Sequence, residues 1–215
     1  MKGLLVTLEG QDGSGKSTLL QLVSEYLKAK EISVAIVPEF SSNVLGKFLK
    51  NILEKNKFLR LREVVSSALT ETLYVLADLY SQDELEIRPA IKHGKVVLKE
   101  RHVDSVLACQ IPKIIEDYPL EDFEQLFQWL SRASAYLLEP DLTFFLKVKD
   151  ETLQERIKAR GELICENDFI VFAKRLAIYN RLADEKRKSW VVLCNDGNLA
   201  NTAKLIVAHI HRKLI

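Results

Sequence analysis

The stretch from Leu8 to Thr18 reads LEGQDGSGKST and lies between a short apolar run and a helical pattern that begins after Ser17. Its spacing, Gly-x-x-x-x-Gly-Lys-Ser, is the P-loop pattern, and a strand before it and a helix after it make the pattern specific. The glycines let several backbone N–H groups turn inward, and the N-terminus of the following helix adds positive potential. The stretch therefore predicts a site for a polyphosphate.

The side chains of the loop suggest separate roles. Lys16 is expected to bridge the β- and γ-phosphates of a nucleoside triphosphate, and Ser17 is expected to bind Mg²⁺ through its hydroxyl. The predicted nucleotide-binding residues are Gly10, Gln11, Asp12, Gly13, Ser14, Gly15, Lys16, Ser17 and Thr18. The loop alone leaves the acceptor of the γ-phosphoryl group open, because ATPases, GTPases and small-molecule kinases share it.

The remaining chain predicts a three-layer α/β fold. Short β-branched apolar runs alternate with helical patterns, which is typical of a parallel sheet whose strands are covered by helices on both faces. The five predicted strands are Leu4–Leu8, Ile32–Val37, Lys95–Leu98, Leu142–Val148 and Trp190–Cys194. Long helices are predicted after Ser17 and over about 63–80, 123–138, 150–160 and 169–186.

Composition limits the class of protein. A chain of 215 residues fits a single domain, and a formal net charge of +1 gives no global signal for binding a nucleic acid polymer or an anionic membrane. No apolar run approaches the roughly 20 residues of a membrane span. The 3 cysteines are odd in number and lack a Cys-x-x-Cys pair, so a disulfide framework and a zinc site are not indicated. A cytoplasmic location is expected.

Several segments together resemble the thymidylate kinases, a family of P-loop nucleoside monophosphate kinases. In chain order they are LEGQDGSGKST (8–18), RHVDSVLACQ (101–110), EPDLTFFLKV (139–148), ERIKARGE (155–162) and FAKRLAIYNRLA (172–183). The resemblance implies one P-loop kinase domain over residues 1–215, with a lid at about 156–168. It also implies transfer of the γ-phosphoryl group of ATP, with Mg²⁺, to a small-molecule nucleotide, dTMP giving dTDP being the first expectation. A homodimer is implied as well.

The resemblance assigns roles to individual residues. Arg101 corresponds to the arginine that holds the acceptor phosphate, and Arg160 to the lid arginine that closes over the transferring group. Glu100 replaces an aspartate that acts near Mg²⁺. Arg156 and Arg160 are four residues apart, so one helical face presents both. Three more residues match positions on the acceptor side: Glu39, Ser105 and Gln110.

Departures from the family pattern cluster on the acceptor side. Pro38 stands where the family has an arginine expected to hold a phosphate. Val75 and Leu79 occupy the positions of the base-stacking phenylalanine and the base-reading arginine, and Cys109 stands where a tyrosine is usual. Recognition of thymine by the family's own residues is therefore not expected.

Two alternative functions remain open from the sequence. Pro38-Glu39 and Glu100-Arg101 resemble segments of the deoxyribonucleoside kinases. A sugar hydroxyl must lose a proton, and Glu39 would then be the base, whereas a monophosphate oxygen is already ionised at neutral pH. The second alternative is a nucleotide-binding module that no longer catalyses turnover.

Overall fold

The structure is a computed structural model that describes residues 2–55, 67–162, 165–186 and 188–215. A five-stranded sheet forms the centre of the described part of the chain. Its strands are β1 Leu4–Gly10, β2 Val34–Val37, β3 Val96–Glu100, β4 Leu142–Lys147 and β5 Trp190–Cys194. The spatial order is β2-β3-β1-β4-β5, and each neighbouring pair is parallel. The predicted fold class, a three-layer α/β fold with a five-stranded parallel sheet, is confirmed.

Helices cover both faces of the sheet. They are α1 Lys16–Lys28, α2 Val44–Lys55, α3 Ala68–Gln82, α4 Arg88–Lys92, α5 Val103–Asp117, α6 Phe123–Ala133, α7 Asp150–Ala159, α8 Glu166–Glu185 and α9 Leu199–Leu214. A π-helical segment, Asp83–Ile87, joins α3 to α4. Helices α1 and α9 pack on one face of the sheet, and α3, α5, α6 and α8 pack on the other. No helix in the described ranges is long and apolar enough to cross a membrane.

The strand β1 shows why the core forms at the centre of the sheet. All seven of its residues are buried, and its apolar side chains alternate between the two faces. Leu4, Val6 and Leu8 join the cluster with α1 and α9, whereas Leu5 joins a cluster on the opposite face. Burying one such side chain stabilises the folded state by about 1.5–3 kcal/mol. The P-loop is therefore anchored to the most deeply buried strand.

Several predicted boundaries differ from the structure. Strands β1 and β3 each extend two residues further, to Gly10 and Glu100, because backbone pairing continues past the last apolar residue. The helix predicted over 123–138 ends at Ala133, where the Ser134 hydroxyl donates to the Leu130 carbonyl at 2.8 Å and the chain turns. Helix α3 begins at Ala68, and the predicted helical residues 63–66 lie outside the described residues.

Helices α2, α4, α5 and α9 were not among the predicted long helices, and two of them, α5 and α2, bear on the candidate site. Helix α5 carries Pro112 in its interior, a residue that normally indicates a helix end. Helix α2 follows a Ser-Ser-Asn segment that is typical of a loop, and Asn43 begins it by accepting the Gly46 N–H at 2.9 Å. Both helices contribute to the acceptor side of the candidate site, so their omission hid part of that site.

Candidate active site

The P-loop conformation depends on its glycines. Gly13 and Gly15 have φ of 84° and 89°, in the left-handed region that favours glycine, and Gly15 directly precedes α1. A Cβ atom on Gly15 would lie 2.9 Å from the Asn195 side-chain nitrogen. The loop can therefore wrap tightly at the start of α1 only with glycine at this position.

Asn195, which follows β5, fixes the loop from outside. Its Nδ2 donates to the Ser14 carbonyl at 2.7 Å, and its Oδ1 accepts from the Thr202 hydroxyl at 2.9 Å. The side chain is completely buried. The sequence analysis did not identify this residue, because a single asparagine after a strand carries no motif.

Lys16 lies in the centre of the loop. Its Nζ donates to the Gln11 carbonyl at 2.8 Å and to the Gly10 carbonyl at 3.2 Å. Burial lowers the pKa of this ammonium, and the charge of Arg101 lowers it further. The arrangement places a positive charge where a polyphosphate held by the loop would lie.

Other loop residues point in different directions. Gly13, Ser17 and Thr18 line the open cleft above the loop. Gln11 and Ser14 instead face a cavity on the opposite side, and the Gln11 amide donates to the Phe172 carbonyl at 3.3 Å. The side chains of Gln11 and Ser14, which belong to the predicted nucleotide-binding set, therefore do not line the donor cleft.

Ser17 and Glu100 are brought together by neighbouring strands. Leu8 of β1 pairs with Glu100 of β3, and the Ser17 hydroxyl donates to Glu100 Oε1 at 2.9 Å. Both oxygens are hard donors of the kind that Mg²⁺ prefers. Among the described residues, no group of three or more His, Cys, Asp or Glu side chains is placed to hold a metal ion. This pair therefore fits Mg²⁺ bound mainly by phosphate oxygens and water.

Arg101 is the central cation of the site. Its Nη2 donates to Asp12 Oδ1 at 2.5 Å, its Nε lies 3.4 Å from Glu39 Oε1, and its Nη1 donates to Tyr179 OH at 3.2 Å. Its backbone has φ of 56°, an unusual conformation for a residue with a side chain. Burial opposes its charge, but Asp12 and Glu39 outweigh burial and raise its pKa.

Asp12 joins Arg101 to a second buried arginine. Asp12 Oδ2 lies 3.2 Å from Arg175 Nη1, while Oδ1 binds Arg101. Burial favours the neutral carboxyl, but the two arginine charges outweigh burial and hold the pKa of Asp12 well below its usual range. Asp12 is therefore ionised and shared by two guanidinium groups.

A buried carboxyl lies beneath this cluster. Glu9 accepts hydrogen bonds from the His102 backbone N–H at 2.7 Å and from the Ser105 hydroxyl, which also contacts Tyr179 OH at 2.7 Å. Burial, with a further contribution from the Asp104 charge, raises the pKa of Glu9 from 4.5 to about 7. Glu9 thereby positions Ser105 and the backbone that carries Arg101.

An acceptor cavity opens next to Arg101, between α2, α3, α5 and α8. Its apolar wall includes Leu53, Val75, Leu79 and Val106. Val75 and Leu79, which replace the family's phenylalanine and arginine, therefore line the cavity with aliphatic side chains. Its polar groups are Asp12, Glu39, Asp78, Arg101, His102, Ser105, Gln110, Lys113 and Arg175. Ser105 and Gln110 are therefore cavity residues and not surface residues of α5.

A larger donor cleft lies above the P-loop. Lys16, Ser17 and Glu100 line it from the sheet side, and Arg156 and Arg160 line it from α7. Asp12, Glu39, Leu53 and Arg101 line both this cleft and the acceptor cavity. The two spaces therefore meet at a junction that contains the central cation.

The two arginines of the predicted lid differ in their contacts. Arg156 lines the donor cleft and contacts the loop, because it donates to the Asn195 carbonyl at 2.7 Å and to the Gly13 carbonyl at 3.4 Å. Arg160 directly follows α7, is half exposed, and lies 3.9 Å from Glu162. Of the proposed lid at about 156–168, residues 163 and 164 lie outside the described residues.

Sequence reasoning missed Arg175 and Tyr179, although a signal was present. Phe172, Arg175, Leu176 and Tyr179 follow the i, i+3, i+4, i+7 spacing of one helical face, and three of the four are buried. An arginine on a face that is otherwise apolar and aromatic indicates a buried ion pair or a ligand contact.

Comparison with known proteins places the chain in a family. A family model described as thymidylate kinase matches residues 8–206. A thymidylate kinase of Exiguobacterium sp. is 32% identical over 163 residues, which cover 76% of this chain and 72% of that protein. A protein of Pyrococcus horikoshii named "Probable thymidylate kinase" is 31% identical, with 85% of this chain and 82% of that protein covered. A thymidylate kinase of Rickettsia canadensis is 29% identical, with 85% and 81% covered.

Proposed function

Because this chain belongs to the thymidylate kinase family, we propose that it transfers the γ-phosphoryl group of ATP to dTMP and releases dTDP and ADP. One observation carries the proposal. The donor cleft above the P-loop and the acceptor cavity meet at Asp12, Glu39 and Arg101. A γ-phosphate held by the loop and a phosphate held in the cavity would be adjacent at that junction, as in-line transfer requires.

On the donor side, the loop backbone and Lys16 would hold the β- and γ-phosphates of ATP. The buried position of Lys16 supports this role, because a charge that is partly removed from water stabilises developing negative charge more strongly. Arg160, at the edge of the donor cleft, would add positive charge above the transferring group. Residues of about 156–168 would act as the lid and exclude water from the reaction.

Mg²⁺ is the metal that the family implies, and Ser17 and Glu100 are the residues that would hold it. Their oxygens are 2.9 Å apart and face the donor cleft. When bound, the ion neutralises charge on the phosphates.

On the acceptor side, Arg101 would bind the phosphate of dTMP at the junction. Ser105 and Gln110 also line the cavity and would contact the nucleoside. Glu39 lies beside Arg101 and would help to orient its guanidinium group. No base is needed in this reaction, because the second pKa of a monophosphate is about 6 and its oxygen is ionised at neutral pH.

Two finer properties belong to the same proposal. We propose that the active form is a homodimer, as the family resemblance implies. We also propose a cytoplasmic location, which three free cysteines support because such thiols persist in a reducing compartment.

An acceptor panel tests the function. The rate of ADP release would be measured with dTMP, dUMP, dCMP, CMP and thymidine as acceptors. The proposal predicts that dTMP gives the highest kcat/KM and that Lys16→Ala lowers it by about 100-fold or more. Phosphorylation of thymidine but not dTMP would overturn the proposal in favour of a nucleoside kinase with Glu39 as base. Turnover of no acceptor would favour a nucleotide-binding module.

A further inference from the structure

Arg175 is a charged residue of the acceptor cavity to which the proposed function assigns no role. It comes from α8 and lines the acceptor cavity, but it does not line the donor cleft. Only 4% of the residue is exposed. A buried guanidinium group is destabilising unless it is paired with a negative charge, so the contact of Arg175 with Asp12 indicates its role.

Asp12 lies between two guanidinium groups and still faces open space. Its two carboxylate oxygens contact Arg101 and Arg175 at 2.5 Å and 3.2 Å, yet 43% of its side chain is exposed. It lines both the acceptor cavity and the donor cleft. A phosphate dianion bound at Arg101 would therefore have the negative charge of Asp12 as a close neighbour.

We propose that Arg175 neutralises Asp12 while Arg101 binds the acceptor phosphate, and that this division makes the site select phosphorylated acceptors over nucleosides. The inference rests on the proposed function, in which Arg101 holds that phosphate. Arg175 is then a positioning residue that acts through Asp12. Without the charge of Arg175, the phosphate and Asp12 would compete for Arg101.

The geometry favours this division of roles. Arg101 lies at the junction of the two spaces, whereas Arg175 lies on the acceptor side only. Arg101 also lies 3.4 Å from Glu39, so its charge is already shared by two carboxylates. Arg175 contacts the Asp12 oxygen that Arg101 does not contact, and it can keep that contact while Arg101 turns to a ligand.

A purely structural ion pair would behave differently from a pair that neutralises Asp12. If Arg175 only held α8 against the loop, its loss would weaken the binding of dTMP and thymidine to the same degree. If Arg175 neutralises Asp12, its loss weakens the binding of dTMP alone, because thymidine brings no phosphate to the junction. The comparison of these two ligands is therefore the decisive measurement.

Dissociation constants for dTMP and thymidine would be measured by titration calorimetry for the wild-type chain and Arg175→Gln. We expect the affinity for dTMP to fall about tenfold or more and that for thymidine to change less than about threefold. In an Asp12→Asn background the same Arg175→Gln change should have no effect on dTMP, since no charge is left to neutralise. Lys174→Gln, an exposed neighbour on α8, is the matched control and should bind both ligands like wild type.

Equal losses of affinity for dTMP and thymidine would overturn the inference. A loss of dTMP affinity that persists in the Asp12→Asn background would also overturn it, because such a loss would indicate that Arg175 contacts the phosphate directly. If Arg175→Gln does not fold, Arg175→Lys keeps the charge and should retain dTMP selectivity, and a loss of selectivity there would count against the inference. If Arg175→Gln weakens the binding of dTMP but not of thymidine, and the wild-type chain does not phosphorylate dTMP, only the proposed function is refuted. If the wild-type chain phosphorylates dTMP but Arg175→Gln loses affinity for dTMP and thymidine equally, only the inference about Arg175 is refuted.

Discussion

Replacing Glu9 with glutamine should remove a pH dependence of stability that originates beneath the active site. Glu9 is completely buried, and burial raises its pKa from 4.5 to about 7. Between these pH values the unfolded chain loses the proton and the folded chain keeps it, so the free energy of unfolding falls as pH rises. The difference between the two pKa values corresponds to about 3 kcal/mol.

His102 acts in the opposite direction, which is why a variant is needed. Burial, with the charge of Lys99 adding to it, lowers the pKa of His102 from 6.5 to about 3. The unfolded chain therefore takes up a proton as pH falls through this range, and the free energy of unfolding rises with pH. In wild type the two contributions partly cancel, whereas Glu9→Gln removes the Glu9 contribution and keeps that of His102.

Urea unfolding, followed by the fluorescence of the buried Trp190, gives the free energies at about pH 4.5 and pH 7.5. The change in the free energy of unfolding from the lower to the higher pH is measured for each protein. This change should be more positive for Glu9→Gln than for wild type by about 3 kcal/mol. Glu25→Gln, an exposed carboxyl on α1, should show no such gain. A difference between Glu9→Gln and wild type that stays constant with pH would refute the reasoning.

Two further predictions concern the donor side. Ser17→Ala removes the hydroxyl oxygen of the pair, and Glu100→Gln removes its carboxylate charge. Each variant should therefore raise the Mg²⁺ concentration needed for half-maximal rate, and an unchanged Mg²⁺ titration would count against this site. Asn195→Ala should lower the free energy of unfolding by about 1–3 kcal/mol and raise KM for ATP, because the Ser14 carbonyl loses a buried donor. The exposed Asn201→Ala is its control, and equal effects of the two variants on KM would contradict the role.

The fold and the donor side could be predicted from the sequence because they depend on local patterns. Buried parallel strands read as continuous apolar runs, and the P-loop spacing places Lys16 and Ser17 at the start of a helix. Glu100 could be placed near Ser17 because parallel strands end at the same edge of the sheet. The predictions of the strands, the P-loop residues and Glu100 needed no long-range contact other than the pairing of strands in the sheet.

The acceptor side depends on contacts that no local pattern encodes. Asp12 and Arg175 are 163 residues apart, and only the packing of α8 against the sheet brings them together. The buried pair of Lys113 and Glu71 likewise joins α5 to α3, and α5 was not among the predicted long helices. The contacts of Arg175 and Lys113 beside the acceptor cavity were therefore visible only in the folded chain.

A bisubstrate ligand tests the central claim that the cleft and the cavity are two halves of one site. Adenosine and thymidine joined through their 5′ oxygens by a pentaphosphate would span both spaces across the junction at Asp12, Glu39 and Arg101. Inhibition constants would be measured while ATP and dTMP are varied in turn. The structure predicts competition with both substrates and tighter binding than either nucleotide alone. Competition with ATP but not with dTMP would contradict it.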